Sequence, residues 1–235
     1  MRHKKKPIPG KEVKEINRYD EDVIDSLKED YTKLFNEASL ANDFALYIEE
    51  QTRYRSKTIA SNIKKAKFLE YFKGGKVLDI GSLDGYHIDW FDGAEKIYCV
   101  DIIDNFFELI KTNHSEKNIE CKLTKGSELS FIEDNYLDFI FSMDSIVRLT
   151  ENQYKSYFNE FERVLKPGGV AYIHLPIEFG RMHSKYLNDR PHIFTKNSLK
   201  EAIVPWGSVE FADGYVSFGS IAIINKHLDY TEENN

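Results

Sequence analysis

An acidic residue and two glycines follow an apolar run at a spacing suited to binding a nucleotide-like ligand. The segment Lys76–Gly85 reads KVLDIGSLDG, with Asp79 two residues before Gly81 and Gly85 at its end. Glycine lets the backbone approach a ligand closely because it has no side chain to intervene. A helix after the turn would offer unpaired amides and the positive end of its dipole. The segment therefore predicts a strand, a tight turn and a helix start around a cofactor.

A second acidic residue ends the next apolar run. Asp101 lies about 20 residues after the glycine turn, the usual distance for an acid that accepts hydrogen bonds from ribose hydroxyls. The alternative is that Asp101 caps the helix expected from Asp104 onward. The glycine turn upstream favours ribose binding.

Apolar runs alternate with helix-like segments, which is typical of a parallel sheet covered by helices on both faces. The expected strands lie at residues 77–80, 97–103, 119–123, 137–143 and 170–175. The expected helices lie at residues 104–112, 152–165 and 197–202. Two further strands, 208–211 and 215–224, are predicted to pair through a tight turn at Asp213–Gly214. We therefore expect an α/β domain whose mostly parallel sheet ends in an antiparallel hairpin.

The N-terminal part of the chain has a different pattern. Residues 1–15 contain a lysine cluster, prolines and a glycine, and are expected to form a disordered basic tail. Residues 16–72 are expected to form a helical cap, and residues 73–235 a ligand-binding domain.

Composition excludes several classes of protein. The 235 residues carry a formal net charge of −7, which argues against broad contact with nucleic acid or an anionic membrane. No apolar run is long enough to span a membrane, and no signal-peptide stretch follows the basic N-terminus. Cys99 and Cys121 lie in strand-like runs without metal-ligand spacing, so we expect reduced thiols, no metal and a cytoplasmic location.

Five segments in order resemble the motifs of class I S-adenosylmethionine (SAM) dependent methyltransferases. They are Val77–Gly85, Asp101, Gly126–Leu129, Leu137–Ser142 and Glu162–Gly169. The last matches the family's Arg-x-Leu-Lys-Pro-Gly-Gly turn and is the most specific. The resemblance covers residues 76–175 well and implies a Rossmann-like, seven-stranded methyltransferase fold. Leu83, Ser127 and Arg148 depart from the family's glycine, aspartate and histidine.

The resemblance implies SAM as cofactor and S-adenosylhomocysteine (SAH) as product. The implied cofactor contacts are Asp79, Gly81, Ser82, Leu83, Gly85, Asp101, Ile102, Ser127, Glu128, Ser142 and Met143. Arg53 and Arg55 stand where the family folds an N-terminal helix over the cofactor, and a guanidinium pairs well with a carboxylate. Surface arginines are the alternative interpretation.

Methyl transfer from SAM needs alignment and a dry site, and some acceptors also need a general base. Asp144, His174 and His192 are the catalytic candidates, because they follow or end the fourth and fifth strands. His174 has the alternative interpretation of a packed core histidine. His192 belongs to a segment that resembles the acceptor border of small-molecule members. The long segment 177–195 is expected to cover the acceptor together with the N-terminal helices.

A small polar metabolite methylated on oxygen or nitrogen is the leading acceptor. No Asn-Pro-Pro-Tyr motif follows the fourth strand, where Ser142–Ser145 reads SMDS, so methylation of nucleic-acid amino groups is not favoured. An RNA or protein methyltransferase and a non-catalytic SAM-binding partner subunit are the alternatives. The Leu-Lys-Pro-Gly-Gly turn argues against a nicotinamide-dependent dehydrogenase. The sequence leaves open whether the protein is a monomer or a homodimer.

Overall fold

The computed structural model describes residues 59–178, 191–213, 216 and 219–228, with side chains from Lys64 onward. These residues form a seven-stranded sheet in the order β3-β2-β1-β4-β5-β7-β6. The strands are β1 Gly75–Ile80, β2 Ala94–Asp101, β3 Ile119–Leu123, β4 Leu137–Ser142, β5 Leu165–Leu175, β6 Gly207–Ala212 and β7 Ser220–Lys226. Strands β1 to β5 are parallel, and β7 pairs antiparallel with both β5 and β6. The predicted fold class is confirmed.

Helices cover both faces of the sheet. The helices of the described residues are α1 Ile59–Leu69, α2 Phe107–Asn113, α3 Glu151–Val164 and α4 Lys196–Ile203. Thr150 and Thr195 cap α3 and α4, and each forms a capping box with the residue three positions later. These boxes satisfy amides that the first helical turn leaves without partners, so each helix begins at a defined residue.

Two apolar cores lie on opposite faces of the sheet. One contains inward side chains of α3 and α4, including Tyr154, Phe161 and Leu199. The other is aromatic and is centred on Phe68, whose ring lies 5.2 to 5.7 Å from six other aromatic rings. One of those rings belongs to Phe141 of β4, so α1 packs directly on the central strands.

The connection between β1 and β2 is shorter than the sequence indicated. We expected a helix to begin after Gly85, but the described chain forms a three-residue 3-10 helix, Ile88–Trp90. Ile88, Trp90 and Phe91 all point into the aromatic core, and Gly93, with φ +84°, turns the chain into β2. Burial of these three side chains leaves no length for a longer helix. The glycine turn is therefore not followed by an α-helix, and no α-helix dipole begins there.

Several other boundaries differ from the expectation: β2 begins and ends earlier, at Ala94 and Asp101, α2 begins later, at Phe107, and β7 spans Ser220–Lys226. Strand β5 begins five residues early, at Leu165, and contains a bulge, because Leu137 and Phe139 of β4 pair with Leu165 and Val170. The expected tight turn at Asp213–Gly214 is wrong, since Ala212 pairs with Ile221 and the connection is longer. Asp213 accepts a hydrogen bond from Ser220 Oγ at 2.6 Å, which keeps its side chain inside this longer loop.

The predicted tail and most of the predicted helical cap, residues 1–58, lie outside the described residues. Among the helices that are described, none combines the length and apolar character needed to cross a membrane.

Candidate functional site

The glycine turn after β1 is packed against the end of β4. Gly81 has φ +76° and Gly85 has φ +79°, backbone conformations that favour glycine. A Cβ added at Gly81 would collide with the Ser145 side chain, and one at Gly85 would lie 2.9 Å from Ile88 Cδ1. Both glycines are therefore required by close packing of the backbone. Leu83, at φ +42°, is a strained non-glycine residue inside the same turn.

Asp101 holds this turn onto the end of β2. Its Oδ2 accepts a hydrogen bond from the Leu83 amide at 3.0 Å. Its Oδ1 accepts from the amides of Ile102 at 2.7 Å and Ile103 at 3.3 Å. The carboxylate thus fixes Leu83 and the backbone that follows β2. It does not cap a helix, because α2 begins at Phe107 and has no side-chain cap. Each carboxylate oxygen can accept more than one hydrogen bond, so these bonds do not exclude a ligand.

Asp79 is a buried carboxyl beneath the turn, with 2% of its surface exposed. Its Oδ2 finds no hydrogen-bond donor in the described structure. Burial raises the pKa of Asp79 to about 8, and the negative charges of Asp101 and Asp84 add to the effect. A buried carboxylate oxygen without a partner is costly, so this atom suits a donor or a cation brought by a ligand.

The ends of β1 and β4 are joined beside this carboxyl. Ser142 is fully buried and donates from Oγ to the Ile80 carbonyl at 3.1 Å. Met143 is buried in the aromatic core, and Ser82 is also buried. Ser142 and Met143 therefore fix the strand ends, and the turn that follows them carries Asp144.

Asp144 and His174 form a pair at the carboxyl edge of the sheet. His174 Nδ1 lies 2.7 Å from Asp144 Oδ1, the histidine side chain is 0% exposed, and the aspartate side chain is 61% exposed. The surrounding chain partly desolvates Asp144 and so favours its neutral form, although the side chain is mostly exposed. The hydrogen bond and charge of His174 outweigh that effect, with help from the charges of Lys64 and His87. The pKa of Asp144 is therefore lowered. The structure brings these two predicted residues together.

His192 lies elsewhere, against the start of α3. Its ring centroid is 4.5 Å from that of Phe194 and 5.9 Å from that of Tyr154. Burial lowers the pKa of His192, while the negative charge of Glu151 opposes the shift. His192 is thus held by aromatic packing, whereas Asp144 is held by a hydrogen bond.

The segment expected at the adenine is held by helix α3. The Leu129 amide donates to Glu160 Oε2 at 3.0 Å, and the Leu129 carbonyl accepts from Arg163 at 3.0 Å. Glu160 and Arg163 themselves pair at 2.8 Å. Both backbone groups of Leu129 are hydrogen-bonded, so the backbone is fixed directly after Ser127 and Glu128. The side chain of Glu128 is exposed.

Sequence reasoning missed the residues that support the site. Ser145 abuts Gly81, and His87 lies with its ring 5.0 Å from that of Phe141, within reach of the Asp144 charge. Glu160 carried one signal, its spacing of three residues from Arg163 on a helix. Nothing local to Ser145 or His87 distinguished them.

Several other predicted residues have no counterpart in this geometry. Arg53 and Arg55 lie outside the described residues, and Arg148 is exposed. Cys99 and Cys121 pair in register on β2 and β3 as free thiols. Within the described ranges, no three potential metal ligands come together.

Comparisons with known proteins identify the domain. A family profile described as a methyltransferase domain matches residues 78–173, which contain the glycine turn, Asp101 and Asp144. No curated protein matches the chain in sequence.

Solved structures share the fold at low sequence identity. A protein from Pyrococcus horikoshii is 20% identical over 74% of this chain and 91% of its own, with a TM-score of 0.56. The protein solved with the Trm112 methyltransferase activator from Haloferax volcanii is 14% identical over 72% and 90%, with a TM-score of 0.58. The N-methyltransferase NodS from Bradyrhizobium japonicum, solved with SAH, is 11% identical over 72% and 89%, with a TM-score of 0.56.

Proposed function

Since this chain belongs to the class I SAM-dependent methyltransferase family, we propose that it methylates an oxygen or nitrogen atom of a small polar metabolite. The cofactor is SAM. We also propose that residues 1–15 form a basic tail, that residues 16–72 form a helical cap and that the methyltransferase domain begins at residue 73. The protein is proposed to act in the cytoplasm as a monomer or a homodimer.

The single observation that carries the proposal for the site is the buried Asp79 oxygen that lacks a partner. The amino acid end of SAM bears an ammonium group, and an ammonium can satisfy a buried carboxylate oxygen that has no donor among the described residues. Asp101 has remaining acceptor capacity for a ribose diol at the other side of the turn. The donor and acceptor groups of this chain therefore fit a nucleoside that carries an amino acid.

Bound SAM supplies a methyl group that is already activated as part of a sulfonium. The chain's own residues then have to align it with the acceptor and exclude water. Gly81 and Gly85 permit close approach of the backbone, and Leu83 and Ser82 complete the turn. Ile102, Ser127 and Glu128 are proposed to border the adenine, and Ser142 and Met143 to fix the strand end beneath the methyl group. Arg53 and Arg55 are proposed to face the carboxylate.

Asp144, His174 and His192 are proposed to serve the acceptor. Asp144 follows Met143 directly and has an exposed carboxylate, so it can contact a ligand that enters from the carboxyl edge. His192 is proposed to line the acceptor space from the side of α3. Segment 177–195 and the N-terminal helices are proposed to cover this space.

The proposed cofactor site is tested by titration calorimetry of the full chain. We expect SAM and SAH to bind, and NAD to show no heat above the buffer control. Asp79→Asn should raise the Kd for SAM by roughly 10-fold or more, because the ammonium group of SAM loses its charged partner. Asp92→Asn is the matched control, because Asp92 is exposed and pairs with Lys117 away from the turn.

The acceptor is tested in a second step with methyl-labelled SAM and a metabolite extract freed of macromolecules. A labelled small molecule supports the proposed acceptor class. RNA affinity that falls steeply with salt, together with labelled RNA, would support the RNA methyltransferase alternative instead. Lack of binding by SAM and SAH would refute the site itself.

A further inference from the structure

The Asp144 carboxylate has an unusual position relative to its histidine partner. The histidine is fully buried and the aspartate is mostly exposed, so the acid rather than the imidazole faces a ligand. In a general-base arrangement built on histidine, the imidazole would have to reach the acceptor. Here the imidazole lies behind the carboxylate. His174 can therefore orient Asp144 but cannot itself touch an acceptor on the exposed side.

One oxygen of this carboxylate remains available to a ligand. Oδ1 is hydrogen-bonded to His174 Nδ1 at 2.7 Å. Among the described residues, no donor reaches Oδ2. The backbone of Asp144 has φ +58°, a left-handed conformation that is uncommon for a residue other than glycine. A tight turn and a hydrogen bond to a buried histidine thus position an exposed anion.

Asp144 also lies next to the proposed methyl donor. Its neighbour Ser145 packs against Gly81 of the cofactor turn, so the two turns are in direct contact. Ser142, two residues earlier, is hydrogen-bonded to the end of β1. The carboxylate therefore follows β4 at the carboxyl edge of the sheet and adjoins the glycine turn, which is the position proposed for the acceptor.

The charge state of this carboxylate distinguishes between acceptor chemistries. An aliphatic hydroxyl must lose its proton as the new O–C bond forms, which calls for a base with a pKa near the working pH. The lowered pKa of Asp144 makes its carboxylate a weak base. An amine needs no base at that moment, because its neutral form attacks through the nitrogen lone pair. It does benefit from an anion, because positive charge develops on the nitrogen.

We propose that the acceptor of this enzyme is an amine whose nitrogen is bound by Asp144, and that His174 is the positioning residue for that carboxylate. The inference rests on the proposed function and adds the class of acceptor. In the step, the nitrogen lone pair forms the N–C bond, the bond from the methyl carbon to sulfur breaks, and its electron pair stays on sulfur. Positive charge moves from sulfur to nitrogen, next to the carboxylate, and the product ammonium then releases a proton to solvent.

The test begins with the wild-type full chain, methyl-labelled SAM and the same metabolite extract, with products separated and the methylated atom assigned by NMR. We expect the label on nitrogen. The assay is repeated with matched pairs that differ in one atom, namely glycine with glycolate and benzylamine with benzyl alcohol. Label on oxygen, sulfur or carbon as the main product overturns the inference. So does the absence of any methylated product when calorimetry shows that SAM binds.

Variants then test the roles of the two residues on the amine found. Asp144→Asn should lower kcat/KM on the order of 100-fold, while the Kd for SAM changes less than about 2-fold. Asp144→Glu should restore part of the loss. His174→Gln should mainly raise KM for the amine, by about 10-fold, because the Asp144 carboxylate is present but less well oriented. Asp92→Asn should leave activity unchanged.

The outcomes separate this inference from the proposed function. If SAM does not bind, the proposed function has failed. If SAM binds and Asp144→Asn methylates the amine at the wild-type kcat/KM, the inference alone has failed. If the product is instead an O-methyl compound that disappears in His192→Asn, the catalytic role belongs to His192. Asp144 is exposed, so its variants are expected to fold even if a His174 variant does not.

Discussion

Asp79 is a buried carboxyl whose environment departs far from that of a free aspartate. The pKa of an unperturbed aspartate is about 3.9, and burial raises that of Asp79 to about 8. The folded state therefore holds this proton more tightly than the unfolded state does. The resulting stability is fully present below about pH 4 and is lost as the pH rises through about 8. A ligand ammonium next to Asp79 would lower its pKa again by stabilising the charged carboxylate.

A proton-release measurement follows from this shift. At pH 7 the ligand-free protein carries a protonated Asp79, so binding of SAM through its ammonium should release up to about one proton. Calorimetry at pH 7 in two buffers of different ionisation enthalpy gives this number. Asp79→Asn should bind without releasing the proton. Equal release by wild type and variant would contradict the assignment of Asp79 to the ammonium.

Helix α3 connects the scaffold to the proposed adenine border. Arg163 donates to the carbonyls of Leu129 and Ile132 and to the carboxylates of Glu160 and Asp134. A planar guanidinium can make all of these bonds at once, whereas an ammonium cannot. The helix therefore fixes the loop between β3 and β4, although the loop has no regular structure of its own.

Arg163→Lys should consequently destabilise the protein by about 1–3 kcal/mol, because the carbonyls of Leu129 and Ile132 lose their guanidinium donors. It should also weaken SAM binding several-fold, since Ser127 and Glu128 lose their support. Urea unfolding and calorimetry measure the two effects. Lys111→Ala, which removes an exposed pair with Glu108, serves as the control and should change stability by less than about 0.5 kcal/mol. Wild-type stability in Arg163→Lys would rule out the clamp.

At the scale of the whole molecule, Lys226 joins the C-terminal strand to the centre of the chain. Lys226 is only 3% exposed. Its Nζ donates hydrogen bonds to Asn135 Oδ1 at 2.8 Å, to the Glu162 carbonyl at 2.5 Å and to the Leu165 carbonyl at 2.8 Å. All three ammonium protons therefore have acceptors. The contacts tie β7 to the end of α3, to the start of β5 and to the residues before β4.

Lys226→Met should lower the free energy of unfolding by about 2–4 kcal/mol, because three acceptors, among them the buried Leu165 carbonyl, lose their donor. Thermal and urea denaturation measure the loss. Lys155→Met is a matched control, because Lys155 is 65% exposed and pairs only with Glu151 on its own helix. A loss in Lys226→Met no larger than in the control would show that this buried lysine is not a structural tie.

Much of the sheet could be predicted from the sequence. The bounds of β3 were predicted without error, and those of β4, α3 and α4 to within one residue. These elements have clear apolar periods and, in α3 and α4, threonine caps. The prediction of a helix after Gly85 was wrong, because Ile88, Trp90 and Phe91 are buried by contacts with aromatic side chains that are distant in the sequence. The prediction of a tight turn at Asp213–Gly214 was also wrong, because contacts outside the turn fix Asp213: its side chain is bound by Lys196 and Ser220.

The fold class, most strands and the resemblance to methyltransferases could be inferred from local patterns, because turn residues and side-chain periods act over a few positions. Which side chains meet required the folded chain. Asp144 and His174 are 30 positions apart, and Leu129 and Glu160 are 31 apart. Contacts at such separations depend on how strands and helices pack, and so does burial. The sequence could name Asp144 and His174 as candidates, but packing made the histidine the buried partner and the carboxylate the exposed one.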